Sequence, residues 1–201
     1  MTVKGVLWDV GNVIVRWDPR TLYSQIIEDP AELDHFLAEV CPMAWHMEID
    51  AGKPFAAAVA ERSTLYPDQA ERIALWRTRF TDMISGPIAE TESAMADLAR
   101  RGVSQFGLTN MSAECWPAIR GLSRAFAHLS DTIVSGAEGV VKPDPAIFKI
   151  ACRRTGLAPA DLLFIDDSPA NIASAQILGF KTHLFSDPAA LRPALEARGL
   201  L

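Results

Sequence analysis

Val6-Leu7-Trp8 runs straight into Asp9, and far downstream Leu162-Leu163-Phe164-Ile165 runs into Asp166-Asp167. Short, continuously apolar runs mark strands that are covered on both faces, as in a parallel sheet. A carboxylate at the tip of such a strand costs on the order of several kcal/mol in desolvation unless a cation or hydrogen bonds offset it. Two strands that both end this way restrict the chain to folds in which their tips meet around one acidic site.

The rest of the pattern agrees with such a fold. A first strand covers 3–8, and the stretch 18–85 shows only helical patterns. Asp18-Pro19 and Asp29-Pro30 each read as an N-cap followed by proline at the first helical position, and Asp29 with Glu32 resembles a capping box. Helices at 56–65 and 69–83 follow, and Ser85-Gly86-Pro87 breaks the series. Beyond it strand and helix alternate: helix 89–101, strand 104–108, helix 113–124, strand 131–134, a helix from Asp144-Pro145 to Gly156, strand 162–165, a helix from Ser168-Pro169 to Gly179, strand 181–185 and a helix after Asp187-Pro188. This order predicts an α/β protein with a doubly wound, Rossmann-like parallel sheet. The core comprises 1–16 and 86–201, and 17–85 forms an inserted α-helical cap over the carboxyl ends of the strands. Ligands bind at that edge in such sheets, where Asp9, Thr109-Asn110 and Asp166-Asp167 fall.

Composition narrows the function. The 201 residues are 49% hydrophobic, enough for one domain plus an insertion or for two small domains. A net charge of −6 argues against nucleic acid and anionic membrane as partners, since both call for clustered Lys and Arg. Cys41, Cys115 and Cys152 are odd in number and form no C-x-x-C pair, which suits reduced thiols in a cytoplasmic protein. No signal peptide and no membrane span are expected. The oligomeric state is left open.

Four segments in order resemble the haloacid-dehalogenase superfamily of hydrolases: Trp8-Asp9-Val10-Gly11-Asn12-Val13-Ile14, Leu108-Thr109-Asn110, Lys142-Pro143-Asp144-Pro145-Ala146-Ile147-Phe148, and Phe164-Ile165-Asp166-Asp167-Ser168-Pro169-Ala170-Asn171-Ile172. The helical insertion is similar to that family's smaller cap. The resemblance implies a Mg²⁺-dependent phosphatase of small phosphate esters. Asp9 is its nucleophile, forming an aspartyl-phosphate, and Lys142 holds the phosphate and the Asp9 carboxylate. Thr109 and Asn110 donate to phosphate oxygens. Mg²⁺ is bound by Asp9, the Gly11 carbonyl and Asp167, with Asp166 binding directly or through water. Asn171, one helical turn beyond Asp167, is placed to orient that carboxylate.

One departure divides the readings. Most phosphatases of this superfamily carry a second Asp two positions after the nucleophile, where this chain has Gly11. General acid–base assistance of that kind contributes about 10²–10⁴-fold. The D-x-G-N-V form resembles a subgroup that includes phosphatases of sugar 1-phosphates, whose leaving group needs less help. The alternatives are a metal-free 2-haloacid dehalogenase using Asp9, or a phosphate-binding protein with weakened catalysis. Trp45-His46-Met47-Glu48 and Ala51-Gly52-Lys53-Pro54 resemble a specificity loop, in which His46 and Lys53 are candidates to meet substrate.

Overall fold

The computed structural model describes residues 3–201; Met1 and Thr2 lie outside the described residues. Strand β1 (Gly5–Trp8) is buried at all four positions. The chain then reverses into β2 (Val15–Trp17), which leads to α1 (Pro19–Tyr23), α2 (Pro30–His35), a π-helical turn at Phe36–Val40, α3 (Met43–Asp50), α4 (Phe55–Leu65) and α5 (Ala70–Thr78). Strand β3 (Ile84–Pro87) follows, then α6 (Ala89–Arg100), β4 (Ser104–Thr109), α7 (Trp116–Ile119), β5 (Asp131–Val134) and α8 (Ser135–Glu138). The chain ends with α9 (Pro145–Thr155), β6 (Leu162–Asp166), α10 (Pro169–Ile177), β7 (Lys181–Leu184) and α11 (Pro188–Glu196).

The main sheet has the order β5-β4-β1-β6-β7, and every pairing in it is parallel. The chain winds outward from β1 through β4 to β5, then crosses back to β6 and β7. This is the expected doubly wound α/β fold. Alternation along β1 divides its side chains between two cores. Leu7 packs with Leu108, Ile133, Phe148 and Phe164. Val6 and Trp8 join a cluster that continues into the helical stretch through Trp45, Phe55, Trp76 and Phe80. The Asp-Pro caps act as expected: Asp18 and Asp29 accept from backbone N–H groups of the helices they begin.

Three expectations need correction. The stretch 18–85 is not wholly helical, because β2 and β3 pair antiparallel into a two-stranded ribbon at its two ends. Pro87 cannot continue a helix and Gly86 adopts φ 132°, so this segment is extended, and it is too short to show a period. The helix expected at 113–124 shrinks to the four residues of α7, followed by a 3₁₀ segment at Arg124–His128. Gly121 and Ser123 interrupt it, and Ser123 caps the 3₁₀ segment by accepting from Ala125 N–H at 3.1 Å. The 45–48 segment is not a loop but part of α3.

Candidate active site

Asp9 leaves the end of β1 into a tight reversal. Ile14 N–H donates to Val10 C=O at 2.9 Å, and Asn12 sits in the left-handed region at φ 56°, a conformation asparagine tolerates. The Asn12 side-chain oxygen accepts from Trp17 N–H at 3.0 Å and holds the returning strand. Asp9 N–H donates to Ile165 C=O at 2.9 Å, so the sheet register itself sets Asp9 beside the end of β6. Asp9, Asp166 and Asp167 each offer a carboxylate oxygen, and these atoms lie within 4.8 Å of one another.

Lys142 enters this cluster from the loop before α9. Its Nζ lies 2.8 Å from Asp9 Oδ1 and 2.7 Å from Asp166 Oδ2, and the residue is 2% exposed. Its backbone is clamped by Asn110, which accepts from Lys142 N–H at 2.7 Å and donates to Lys142 C=O at 2.9 Å. Asn110 was expected to donate to phosphate. Its side-chain amide is engaged with the Lys142 backbone, and the residue also lines the cavity described below. Thr109 lies there too, 1% exposed, its hydroxyl only at the outer limit of a bond to Asn110 C=O (3.5 Å). The expected support from a helix behind this loop is weak, since α7 is one turn long and the Met111 N–H is already donated to Ser135 Oγ at 2.9 Å.

The two carboxylates of the last motif differ. Asp166 is fully buried and accepts from Lys142, from Ser168 N–H at 2.8 Å and from Asn171 Nδ2 at 3.0 and 3.1 Å, so Asn171 orients Asp166 and not Asp167 as its spacing suggested. Its lone pairs are nearly all engaged. Asp167 is exposed and lines the cavity. Burial pushes the Asp9 carboxyl up to about 8; Lys142 opposes this, and Asp166 and Asp167 add to it. Burial alone would lower the Lys142 ammonium, but Asp9 and Asp166 outweigh it and hold it above its ordinary value. Burial, followed by the Asp166 charge, also raises Asp167. Three carboxylates around one ammonium leave an excess of two negative charges if all are ionised. The donors are all oxygen. This set fits a hard divalent cation.

Above the cluster opens a cavity of about 390 Å³. Its floor is Asp9, Gly11, Asn12, Thr109, Asn110, Lys142 and Asp167, and its wall includes Val15, Trp17, Met43, His46, Met47, Asp50, Phe80, Ile84 and Met111. A Cβ built on Gly11 meets nothing within 4 Å, so the missing side chain leaves open space rather than room for a neighbour.

The two candidates from the 45–54 segment part ways. His46 reaches the cavity as an aromatic surface, stacked on Trp17 at 5.2 Å and 15°. Its Nδ1 accepts from Trp76 Nε1 at 3.2 Å, and its Nε2 lies 3.4 Å from Asp50 Oδ2. Lys53 lies outside the cavity lining and pairs with Glu48 at 2.9 Å and Glu61 at 2.5 Å. Burial pushes His46 down to about 4 and Asp50 up to about 7, so the imidazole is already uncharged where the carboxyl ionises and their contact is not the ion pair its distance suggests. Sequence reasoning missed Asp50, although its i,i+4 spacing from His46 puts both on one face of α3. The Asp50 carbonyl accepts from Ser135 Oγ at 2.6 Å, which ties the end of α3 to the sheet. Close approach continues there: a Cβ on Gly136 would stand 2.7 Å from Ala113 N and 2.8 Å from Met111 O.

Comparison with known proteins gives three findings. Residues 3–179 match the family described as hydrolase, haloacid dehalogenase-like hydrolase. A sesquiterpene phosphatase of Aspergillus oryzae is 23% identical over 184 residues, covering 89% of this chain and 87% of that protein. Among solved structures, a haloacid dehalogenase family enzyme from Bacteroides thetaiotaomicron in complex with magnesium and inorganic phosphate superimposes with TM-score 0.69 at 21% identity, covering 94% of this chain and 98% of that one. The L-2-haloacid dehalogenase from Xanthobacter autotrophicus, with chloropropionic acid covalently bound, superimposes with TM-score 0.65 at 14% identity, covering 100% and 85%.

Proposed function

This chain belongs to the haloacid dehalogenase-like hydrolases, and from that membership we propose that it is a Mg²⁺-dependent phosphatase of small phosphomonoesters. Its solved neighbours include both a phosphate complex and a dehalogenase, so the fold does not choose between these chemistries. One observation carries the choice: Asp9, Asp166 and Asp167 present oxygens within 4.8 Å of one another around a single buried lysine. A halide displacement has no use for that excess of negative charge, whereas a cation-assisted phosphoryl transfer does. The phosphatase name of the fungal relative, matched over most of both chains, supports the same side.

In this reading Asp9 attacks phosphorus, forming an acyl phosphate as the ester P–O bond breaks; water then cleaves the acyl phosphate and restores the carboxylate. Lys142 holds the Asp9 oxygen in position and offers its charge to the phosphate. The Thr109 hydroxyl donates to a phosphate oxygen. Asp167, the Asp9 carboxylate and the Gly11 carbonyl are the groups that would hold Mg²⁺, with Asp166 buttressing Lys142 behind them. When bound, the cation neutralises charge on the phosphoryl oxygens. With no side chain at Gly11, the leaving oxygen draws its proton from water. The helices between β2 and β3 act as a cap over the core segments 1–16 and 86–201, excluding solvent when substrate is seated. Three free cysteines suit a reducing, cytoplasmic setting. No helix among the described residues is long and apolar enough to cross a membrane.

The test is release of inorganic phosphate from small phosphomonoesters with Mg²⁺, with EDTA, and in Asp9→Asn. Turnover that vanishes in both of the last two conditions supports the reading. Halide release from a 2-haloacid that survives EDTA would transfer the protein to the dehalogenases, and phosphate binding without hydrolysis would make it a binding protein.

A further inference from the structure

Resting on the phosphatase reading, we propose that the ester this site accepts is the monophosphate of an apolar alcohol, a flexible aliphatic or terpenoid chain, rather than a sugar phosphate. The inference comes from what faces the cavity above the phosphate floor. Val15, Trp17, Met43, Met47, Phe80 and Ile84 converge there from the β2–β3 ribbon and the helices it carries. Met43 and Met47 stand one turn apart on α3 and present two unbranched, adaptable side chains to the same space.

Polar handles on this wall are few and mostly occupied. Both ring nitrogens of His46 face protein partners, Trp76 and Asp50. The amide of Asn110 is engaged with the Lys142 backbone, and Asn12 holds Trp17 N–H. Among the described residues, the buried side-chain atoms on the wall without a partner are Trp17 Nε1 and Asp50 Oδ1. A hexose phosphate brings four hydroxyl groups besides the ester, each wanting partners. Desolvating them against methionine and aromatic carbon carries a penalty for every group left unpaired. A hydrocarbon chain carries no such penalty and gains from each methylene removed from water. A volume of about 390 Å³ is in the usual range for a small organic ligand. The empty space at Gly11 extends the same chamber down to the nucleophile. The wall favours this class over the sugar 1-phosphates suggested by the D-x-G-N-V motif, since that motif touches only the phosphate end of any ester.

The experiment compares kcat/KM in Mg²⁺ for two monoesters, geranyl monophosphate and glucose 1-phosphate, and for one small acyl phosphate, acetyl phosphate. The expected preference for the geranyl over the glucose ester is about 100-fold. Met47→Gln should lower that ratio about ten-fold. Met43→Gln, at a position 47% exposed, should lower it in the same direction. A glucose ester hydrolysed as well as or better than the geranyl ester, or a ratio unmoved in both variants, overturns the apolar assignment while leaving the phosphatase reading intact. Failure to release phosphate from any of the three overturns both.

Discussion

Lys142 Nζ lies 2.8 Å from Asp9 Oδ1, and the lysine side chain is 1% exposed. A buried ammonium between two carboxylates is held by them and in turn makes their burial tolerable. Removing either side leaves charge with nowhere to go, which typically costs about 3–5 kcal/mol. The same contact fixes the oxygen that would attack phosphorus.

Lys142→Met keeps the length of the side chain and deletes its charge. Measured in EDTA, its melting temperature should fall by roughly 10 °C relative to the parent. Phosphatase kcat in saturating Mg²⁺ should drop about 10²–10³-fold, as when a preorganised electrostatic partner is removed. A variant with parental stability and turnover would show that the ammonium is a bystander.

The two aspartates after β6 should separate in a metal titration. Asp167→Asn removes the open carboxylate and should weaken Mg²⁺ binding more than Asn171→Ala, which only loosens Asp166. For Asn171→Ala a loss of about 10–100-fold is expected, the usual effect of deleting the partner behind a ligand cluster. Isothermal titration calorimetry reads both without reference to turnover. Unchanged affinity in Asp167→Asn would move the direct contact to Asp166.

His46 and Asp50 should leave opposite marks on stability against pH. His46 is pushed from 6.5 to about 4, so between those values the unfolded chain binds a proton that the fold does not, and stability rises with pH. Asp50 is pushed from 3.8 to about 7, so across that window the fold keeps a proton the unfolded chain releases, and stability falls as pH rises. Together the two trends oppose each other. Asp50→Asn removes the falling one, and its stability relative to the parent should climb with pH by about 1.4 kcal/mol per unit through this window. His46→Gln should drift the other way. Urea unfolding in EDTA at several pH values checks both, and a flat difference in each would show that the pair does not titrate there.

Much of the scaffold was legible because its signals are local. Continuous apolar runs marked β1 and β6, the alternation with helices placed β4, β5 and β7, and Asp-Pro or Ser-Pro pairs marked where α1, α2, α9, α10 and α11 begin. Asp9, Asp166 and Asp167 stood out because a charge at the end of a buried run is costly without a partner, whereas Lys142 stood out only through the resemblance of its Lys-Pro-Asp-Pro segment to a family motif. The ribbon of β2 and β3 was not legible: three or four residues cannot show a period, and each strand exists only because the other satisfies its backbone. The shortening of α7 also escaped notice, since Gly121 is a weak local signal against an otherwise helical stretch.

The linear chain fixed which strands of the main sheet form, in what order, and which acids sit at their tips, because strand burial and capping depend on residues a few positions apart. Folding in three dimensions alone decided how those acids differ, with Asp166 enclosed by Lys142 and Asn171 and Asp167 left open. It also made the Asn110 side chain a clamp on the Lys142 backbone and set an apolar wall over the nucleophile. Those outcomes depend on which distant groups come within hydrogen-bonding or van der Waals range, and no spacing along the sequence encodes that.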